Sequence, residues 1–367
     1  MERVLVVKLA SLGDLLTITP ALRAVRASFP NAHVGVLATP TTAPLLNGLD
    51  SVDECLSFDK AAFDRPLDAL LRASAAVQLG QALRRGRWDT LILLHHLTTR
   101  FGIAKYAALA RASGASVRVG LDNGRGRGFL TLAAEDRGFG WRHEADYWLD
   151  VVAQVGAHHP GNPRLELVIA ADDERWADAR WHELGLQAST PAVLLAPGSG
   201  AFSRARRWAP ERFVRVGRDL RARRGLRPLV LAGVDRDEQQ LAARVAAALG
   251  ESVSIVPTAP TPQSLAALIR RCQLLVANDS GPVHLAAAVD TPVVSIFGPI
   301  NLDAWRPYPP AAERNQVAHE PLACSPCIYR GHDFGTPAGC PARTCLAILE
   351  PSAVVAAAER ALAAAAA

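Results

Sequence analysis

The chain has 367 residues, half of them apolar and 20% charged, with a formal net charge of +5; this excludes a disordered chain and supports two packed domains. Only Lys8, Lys60 and Lys105 are lysines among its 40 basic residues, so the positive balance is arginine spread through an alanine-rich chain, and no nucleic-acid partner is expected. No run of about 18 uncharged apolar residues could span a membrane, and the opening Met1-Glu2-Arg3-Val4-Leu5-Val6-Val7 has no small-residue cleavage site, so a cytoplasmic location is expected.

Val4 to Val7 is a continuous apolar run, as a buried parallel strand requires. A loop follows from Lys8 to Asp14. A helix with Thr19 as its cap and Pro20 at its first position is predicted to run to about Phe29, where Pro30 ends it. Val34 to Leu37 is the next strand, completing a strand–loop–helix–strand unit. Leu91 to Leu94 reads as another buried strand between helical stretches, and residues 120 to 145, rich in Gly and Arg, read as a long loop. Periodicity is lost around His158 to Pro163, so a domain boundary is placed after residue 163.

The second half restarts the alternation. Its strands are Val193–Ala196, Leu229–Ala232, Leu274–Ala277 and Val293–Ile296. The helices between them are Glu211–Arg224, Glu238–Leu249 and Leu265–Arg271. A further Ala-rich helix closes the chain from Ser352 to Ala367, and residues 351–367 are treated as a separate C-terminal element. The predicted class is α/β, with a parallel sheet in each half.

Open α/β sheets bind ligands beyond the carboxyl ends of their strands, and three such loops stand out. Lys8-Leu9-Ala10-Ser11-Leu12-Gly13-Asp14 lacks the Gly-x-Gly-x-x-Gly dinucleotide fingerprint, which argues against an NAD enzyme. It offers one carboxylate, Asp14, which could accept a proton from an attacking hydroxyl or simply satisfy the loop backbone. Pro197-Gly198-Ser199-Gly200 precedes Arg204, Arg206 and Arg207. Small residues admit close approach of backbone N–H groups, and arginines suit a diphosphate. Asn278-Asp279-Ser280-Gly281-Pro282-Val283-His284 opens a helix whose positive end favours a leaving phosphate, with Ser280 as the expected cap and His284 one turn in.

Four of the six cysteines crowd into one segment: Cys324-x-x-Cys327, then Cys340 after twelve residues and Cys345 after four more. A four-thiolate structural zinc or iron site is the expectation, with His319 and His332 as substitute ligands and reduced thiols or a disulfide as alternatives. Four thiolates leave no open position, so no catalytic metal is expected.

Together, the Lys8–Asp14 loop, Pro197-Gly198 with Arg206-Arg207-Trp208, and the segment Asn278 to Ala287 resemble glycosyltransferase family 9, the ADP-heptose:lipopolysaccharide heptosyltransferases, from residue 1 to about residue 350. The resemblance implies a GT-B architecture: an acceptor-side Rossmann-like domain over 1–163 and a nucleotide-sugar domain over 164–350, facing a cleft, with the last helix crossing back to the first domain. It implies an inverting transfer from an ADP-heptose donor to an anionic glycolipid of the lipopolysaccharide inner core, and peripheral contact with the inner membrane face. Asp14 falls where the family places its general base. Arg206 stands where a lysine usually contacts the donor phosphates. Ser199 and the segment Asp279, Ser280, Gly281 and His284 would hold the diphosphate, and either Asp237 or Glu238 would meet the ribose. Arg100 matches a basic position on the acceptor side, with Arg125 and Arg127 as further candidates. Relatives that glycosylate proteins use a similar cysteine-rich segment to hold iron. The motifs leave open an acceptor that is a protein or another glycan, and also a nucleotide-sugar-binding protein without catalysis.

Overall fold

The computed structural model describes residues 1–60, 73–126, 128–250 and 253–366; Arg127 lies outside them. The chain divides into two compact units, Met1–Val168 and Ile169–Ala367. Among the described residues no helix is long and apolar enough to cross a membrane.

In the first unit, strands β1 (Arg3–Val7), β2 (His33–Ala38), β3 (Glu54–Ser57), β4 (Thr90–Leu93), β5 (Val117–Asp122) and β6 (Leu132–Glu135) form one parallel sheet in the order β3-β2-β1-β4-β5-β6. The central strands are the continuous apolar runs: Val4 to Val7 and Leu91 to Leu93 are buried on both faces, as covered parallel strands must be. Helices α1 (Leu12–Leu16), α2 (Thr19–Ser28), α3 (Ala73–Arg85), α4 (Arg100–Ser113) and α5 (Glu144–Ala153) accompany them.

Two local expectations are corrected. The Lys8–Asp14 segment is not all loop, because α1 begins at Leu12. Thr19 is the first helical residue rather than a cap; its hydroxyl donates to the Leu16 carbonyl and accepts the Glu166 N–H, so the side chain is spent on tying 166 to the helix start. The 120–145 stretch is also more ordered than its composition suggests. It contains the end of β5, all of β6 and the start of α5.

The second unit repeats the plan. Strands β7 (Ala192–Ala196), β8 (Arg227–Leu231), β9 (Ser254–Val256), β10 (Leu274–Asn278), β11 (Val293–Ile296) and β12 (Asn315–Ala318) pair in parallel in the order β12-β11-β10-β7-β8-β9. Counted from its own first strand, each sheet has the 3-2-1-4-5-6 order of a Rossmann fold. Its helices are α6 (Ala171–Glu183), α7 (Pro210–Arg224), α8 (Arg236–Leu249), α9 (Pro262–Arg271), α10 (Gly281–Ala288), α11 (Leu302–Trp305), α12 (Thr344–Ala347) and α13 (Pro351–Ala366). A small antiparallel hairpin, β13 (Ile328–Arg330) and β14 (Asp333–Gly335), follows β12.

The Ala-rich terminal helix does more than satisfy propensity. Val354, Val355, Ala357, Ala358 and Ala361 of α13 are buried in the same core as Trp208, Val294 and Ile296. The helix packs on α7 and on β10 to β12 of its own unit. Alanines at this spacing let a helix lie close to a sheet with little side-chain entropy lost.

Candidate active site

In the first unit the predicted carboxylate sits just beyond β1. Asp14 lies in the first turn of α1 and is half-buried. The Ser11 hydroxyl donates to Asp14 Oδ2 at 2.6 Å. The segment is braced from three directions. The Leu9 N–H donates to His95 Nε2 at 2.8 Å. The Thr17 hydroxyl donates to the Asp14 carbonyl at 2.8 Å, and the buried Trp148 indole N–H donates to that same hydroxyl at 3.0 Å.

The surroundings of this loop add groups beyond those its own sequence offers. Lys8 is 3% exposed, with its ammonium 3.9 Å from the Trp148 ring centroid. Burial lowers its pKa, against the raising influence of the Asp14 and Glu144 charges. His95 is pushed well below the usual histidine range by burial and then by Lys8, so it is neutral and can accept the Leu9 N–H. Its neighbour behaves oppositely. His96 Nδ1 lies 3.0 Å from Asp136 Oδ1 and Nε2 lies 3.0 Å from Glu144 Oε1, with side-chain exposures of 5%, 0% and 3%. Burial pulls its pKa down, but the Glu144 charge and the bonds its ring donates to both carboxylates outweigh this and raise it to about 9. A buried imidazolium between two carboxylates thus lies directly beyond β4. The available signal was the His-His pair at the carboxyl end of a buried strand, the same position that drew attention to the other loops.

Arg100, in the first turn of α4, is exposed. Arg125 is also exposed and donates to the Thr98 carbonyl at 2.6 Å.

In the second unit the two predicted loops are stitched into one site. Asn278, fully buried at the end of β10, donates to the carbonyls of Pro197 and Gly198 and accepts the Trp208 N–H. Arg206 donates to the Asp279 carbonyl at 2.8 Å, to its carboxylate at 3.1 Å, and to the Ser199 carbonyl. Arg207 donates to the Ser199 hydroxyl, to Asp237, and to Glu238 at 3.1 Å. Ser199, Arg206, Asp237, Glu238 and Asp279 therefore form one ionic network beyond β7, β8 and β10.

The geometry separates the two acidic residues left open by the sequence. The Asp235 side chain caps α8 by accepting the Glu238 N–H, which sets both acids in the first helical turn. Glu238 Oε1 accepts the backbone N–H groups of Ser199 and Gly200, each at 2.8 Å. Its side chain is 7% exposed, whereas that of Asp237 is 45% exposed. Arg207 and the other arginines around Asp237 hold its carboxyl below the usual range. The expectation that the Ser199 and Gly200 N–H groups lie ready for a phosphate is corrected here, because a buried carboxylate already occupies them. The close fit explains two glycines: a Cβ at Gly198 would meet Glu238 Oε1 at 2.8 Å, and one at Gly233 would meet Glu238 Cβ at 2.1 Å.

Ser280 is the N-cap of α10, as expected, but its hydroxyl donates to the Asn278 carbonyl at 2.9 Å rather than capping the helix. The helix end carries no side-chain cap. Gly281 is its first residue, and His284, 3% exposed, lies one turn in.

In the cysteine segment the structure shows the reduced thiols that stood beside the metal site as an alternative. Cys324, Cys327, Cys340 and Cys345 are all free, and among the described residues no group of three or more His, Cys, Asp or Glu is arranged to hold a metal ion. Cys340 Sγ instead accepts the Arg343 N–H at 3.2 Å. Burial, reinforced by the neighbouring thiols, raises the pKa of Cys327 and Cys345. As placed, these residues do not fit a four-thiolate site, and no chemistry is routed through one.

Comparison with known proteins agrees with this architecture. The family description "Glycosyltransferase family 9 (heptosyltransferase)" matches residues 76–336. Lipopolysaccharide heptosyltransferase 1 of Pseudomonas aeruginosa is 26% identical over 333 residues, covering 89% of this chain and 86% of that protein. Among solved structures, a family 9 glycosyltransferase from Veillonella parvula superposes with a TM-score of 0.77 at 23% identity, covering 99% of this chain and 97% of that one. An ADP-heptose lipopolysaccharide heptosyltransferase II from E. coli gives 0.72 at 19% identity, with both chains fully covered.

Proposed function

The chain belongs to glycosyltransferase family 9, and from that footing we propose that it transfers a heptose, with inversion, from ADP-heptose to an anionic glycolipid of the lipopolysaccharide inner core. The observation that supports this most is the network joining the 197–208 loop, the start of α8 and the Asp279–Gly281 turn. It brings Arg206 and Arg207 onto Ser199, and Arg206 onto the residue before the α10 N-cap, which suits a diphosphate.

In the proposed reaction an acceptor hydroxyl attacks the anomeric carbon as the bond to ADP breaks, and Asp14 takes the hydroxyl proton. Negative charge grows on the leaving phosphate. Arg206 and the end of α10 stabilise that charge in place, with Ser280, Gly281 and His284 forming the turn that holds it. The incoming diphosphate competes with Asp279 for the Arg206 guanidinium, and Ser199 keeps the arginine aimed. The exposed Asp237 is the residue we assign to the ribose, and Glu238 braces the loop. Arg100 is assigned to the acceptor side with Arg125.

Three measurements test this. ADP should raise the thermal stability of the protein, by about 2.7 kcal/mol at a hundredfold excess over its Kd, with smaller or no effect from GDP, UDP and NAD. Stabilisation by UDP or GDP alone would remove the heptose donor, and stabilisation by NAD alone would remove the transferase reading. Arg206→Ala should weaken ADP binding about 10- to 100-fold, as expected for lost hydrogen bonds to a charged group, with Arg206→Lys between; unchanged ADP affinity would take Arg206 out of the donor site. Arg100→Glu should raise the KM of the acceptor more than that of the donor; an unmoved acceptor KM would take Arg100 out of the acceptor site.

A further inference from the structure

Beside the Arg206 network lies an aromatic surface that nothing in the proposed reaction uses. Phe202, in the loop after β7, is 47% exposed, and Phe334, on β14, is 44% exposed. Both pack against Tyr329. Phe202 stacks on it at 5.5 Å between ring centres, nearly parallel, and Phe334 meets it edge-on at 5.6 Å. Trp305, 8% exposed, backs the tyrosine at 4.3 Å.

This surface is built rather than incidental. Tyr329 has φ +58°, a left-handed conformation that a bulky residue adopts only when its surroundings hold it there. Asn301 supplies one such hold, donating to the Tyr329 carbonyl at 3.1 Å. The segment is clamped to the 197–208 loop as well. The Ser203 hydroxyl donates to the Pro337 carbonyl at 2.6 Å, and a Cβ at Gly339 would meet the Ala205 side chain at 2.4 Å. The Arg206 guanidinium carbon lies 5.7 Å from the Phe202 ring centre. One side chain therefore links the platform to the diphosphate site.

Strand order gives the platform a direction. Across the sheet the strands run β8-β7-β10-β11-β12. Asp237 follows β8, the arginines and the α10 end follow β7 and β10, and Trp305 and Tyr329 follow β11 and β12. A donor with its ribose at Asp237 and its diphosphate at Arg206 extends its remaining part, the sugar, toward β11. That is the side on which Tyr329 and the exposed Phe334 lie.

From this we infer that the exposed rings of Phe202 and Phe334, carried on Tyr329, form a stacking platform for the pyranose ring of the donor sugar, an inference that rests on the proposed nucleotide-sugar donor. The C–H groups on one face of a pyranose carry partial positive charge, and the face of an aromatic ring is negative. The sugar's hydroxyls stay directed away from the rings. Such a platform adds affinity to the sugar rather than to the nucleotide.

The test is to titrate ADP and ADP-heptose separately into the unmodified protein, Phe202→Ala, Phe202→Tyr and Phe334→Ala, by calorimetry. Phe202→Ala should leave the ADP Kd within about twofold and raise the ADP-heptose Kd about tenfold, the scale of one aromatic contact. Phe202→Tyr should retain most of the affinity, and Phe334→Ala should shift ADP-heptose in the same direction as Phe202→Ala. An unchanged ADP-heptose Kd, or equal losses for ADP and ADP-heptose, overturns the platform while leaving the donor reading intact. A shift in acceptor KM alone would reassign the surface and overturn it too. Failure of the unmodified protein to bind ADP would remove the donor reading, and the platform with it.

Discussion

Replacing Asp14 with asparagine should lower kcat by about 10²- to 10⁴-fold while leaving ADP affinity unchanged. The range is what a positioned general base contributes, and asparagine keeps the shape while removing the ability to take a proton. The separation of kcat from donor affinity follows from the placement of the residue. Asp14 belongs to the first unit, whereas the residues assigned to the nucleotide lie in the second. The substitution should be tolerated structurally. The Ser11 hydroxyl can still donate to the amide oxygen of the new side chain, and the backbone carbonyl at this position keeps its bond from Thr17. Lys8 sharpens the test, because its depressed pKa is opposed by the Asp14 and Glu144 charges. Loss of the Asp14 charge therefore leaves Glu144 alone of the two to oppose the depression. Single-turnover rates and ADP titrations on the same preparation decide the matter. Full turnover in Asp14→Asn would remove the base role, though not transferase activity, while a parallel loss of ADP affinity would mean that the substitution disturbs more than proton transfer.

Some of this molecule was legible in its sequence and some was not, for physical reasons. The strands covered on both faces are uninterrupted apolar runs, and β1, β4, β7, β8, β10 and β11 were read from Val4, Leu91, Val193, Leu229, Leu274 and Val293 onward. Strands with one open side gave no such run. Three of the four residues of β6 are exposed, and β3 alternates between partly buried and exposed positions, so composition alone made the β6 region look like loop. The two loops of the second unit are legible because topology places ligand sites after strands, and because Ser199 and Arg206 share one short motif while Asp279 stands in another. Their internal wiring is not. That Glu238 takes the Ser199 and Gly200 N–H groups depends on a contact across nearly forty residues. The aromatic cluster joins the cysteine-rich segment, which carries Tyr329 and Phe334, to the loop after β7. Its exposed rings come from residues as distant as Phe202 and Phe334, which only the fold brings onto a common tyrosine.

The largest stability effect is expected at His96. His96→Gln should destabilise the first unit by about 3–5 kcal/mol, the cost of removing one partner from a buried charge cluster. That is a large share of the roughly 5–15 kcal/mol that typically holds a protein folded. The reason is geometric. Asp136 and Glu144 flank opposite nitrogens of the ring at 3.0 Å each, and neither side chain is more than 3% exposed. Without the cation one carboxylate must take up a proton, or both must stay charged in a poorly solvated site. The pH dependence gives an independent check. The His96 pKa of about 9 lies above the ordinary value of 6.5. Between these values the folded state retains a proton that the unfolded state has released, so stability from this group is complete below about pH 6.5 and falls as pH rises through about 9. The slope within that window approaches about 1.4 kcal/mol per pH unit. Denaturant unfolding of the unmodified protein should therefore show declining stability from neutral pH toward about pH 9, and His96→Gln should be weaker at neutral pH with that decline flattened. Equal slopes in the two proteins would mean that the imidazole is neutral in the fold, and that the two carboxylates, rather than the histidine, carry the proton between them.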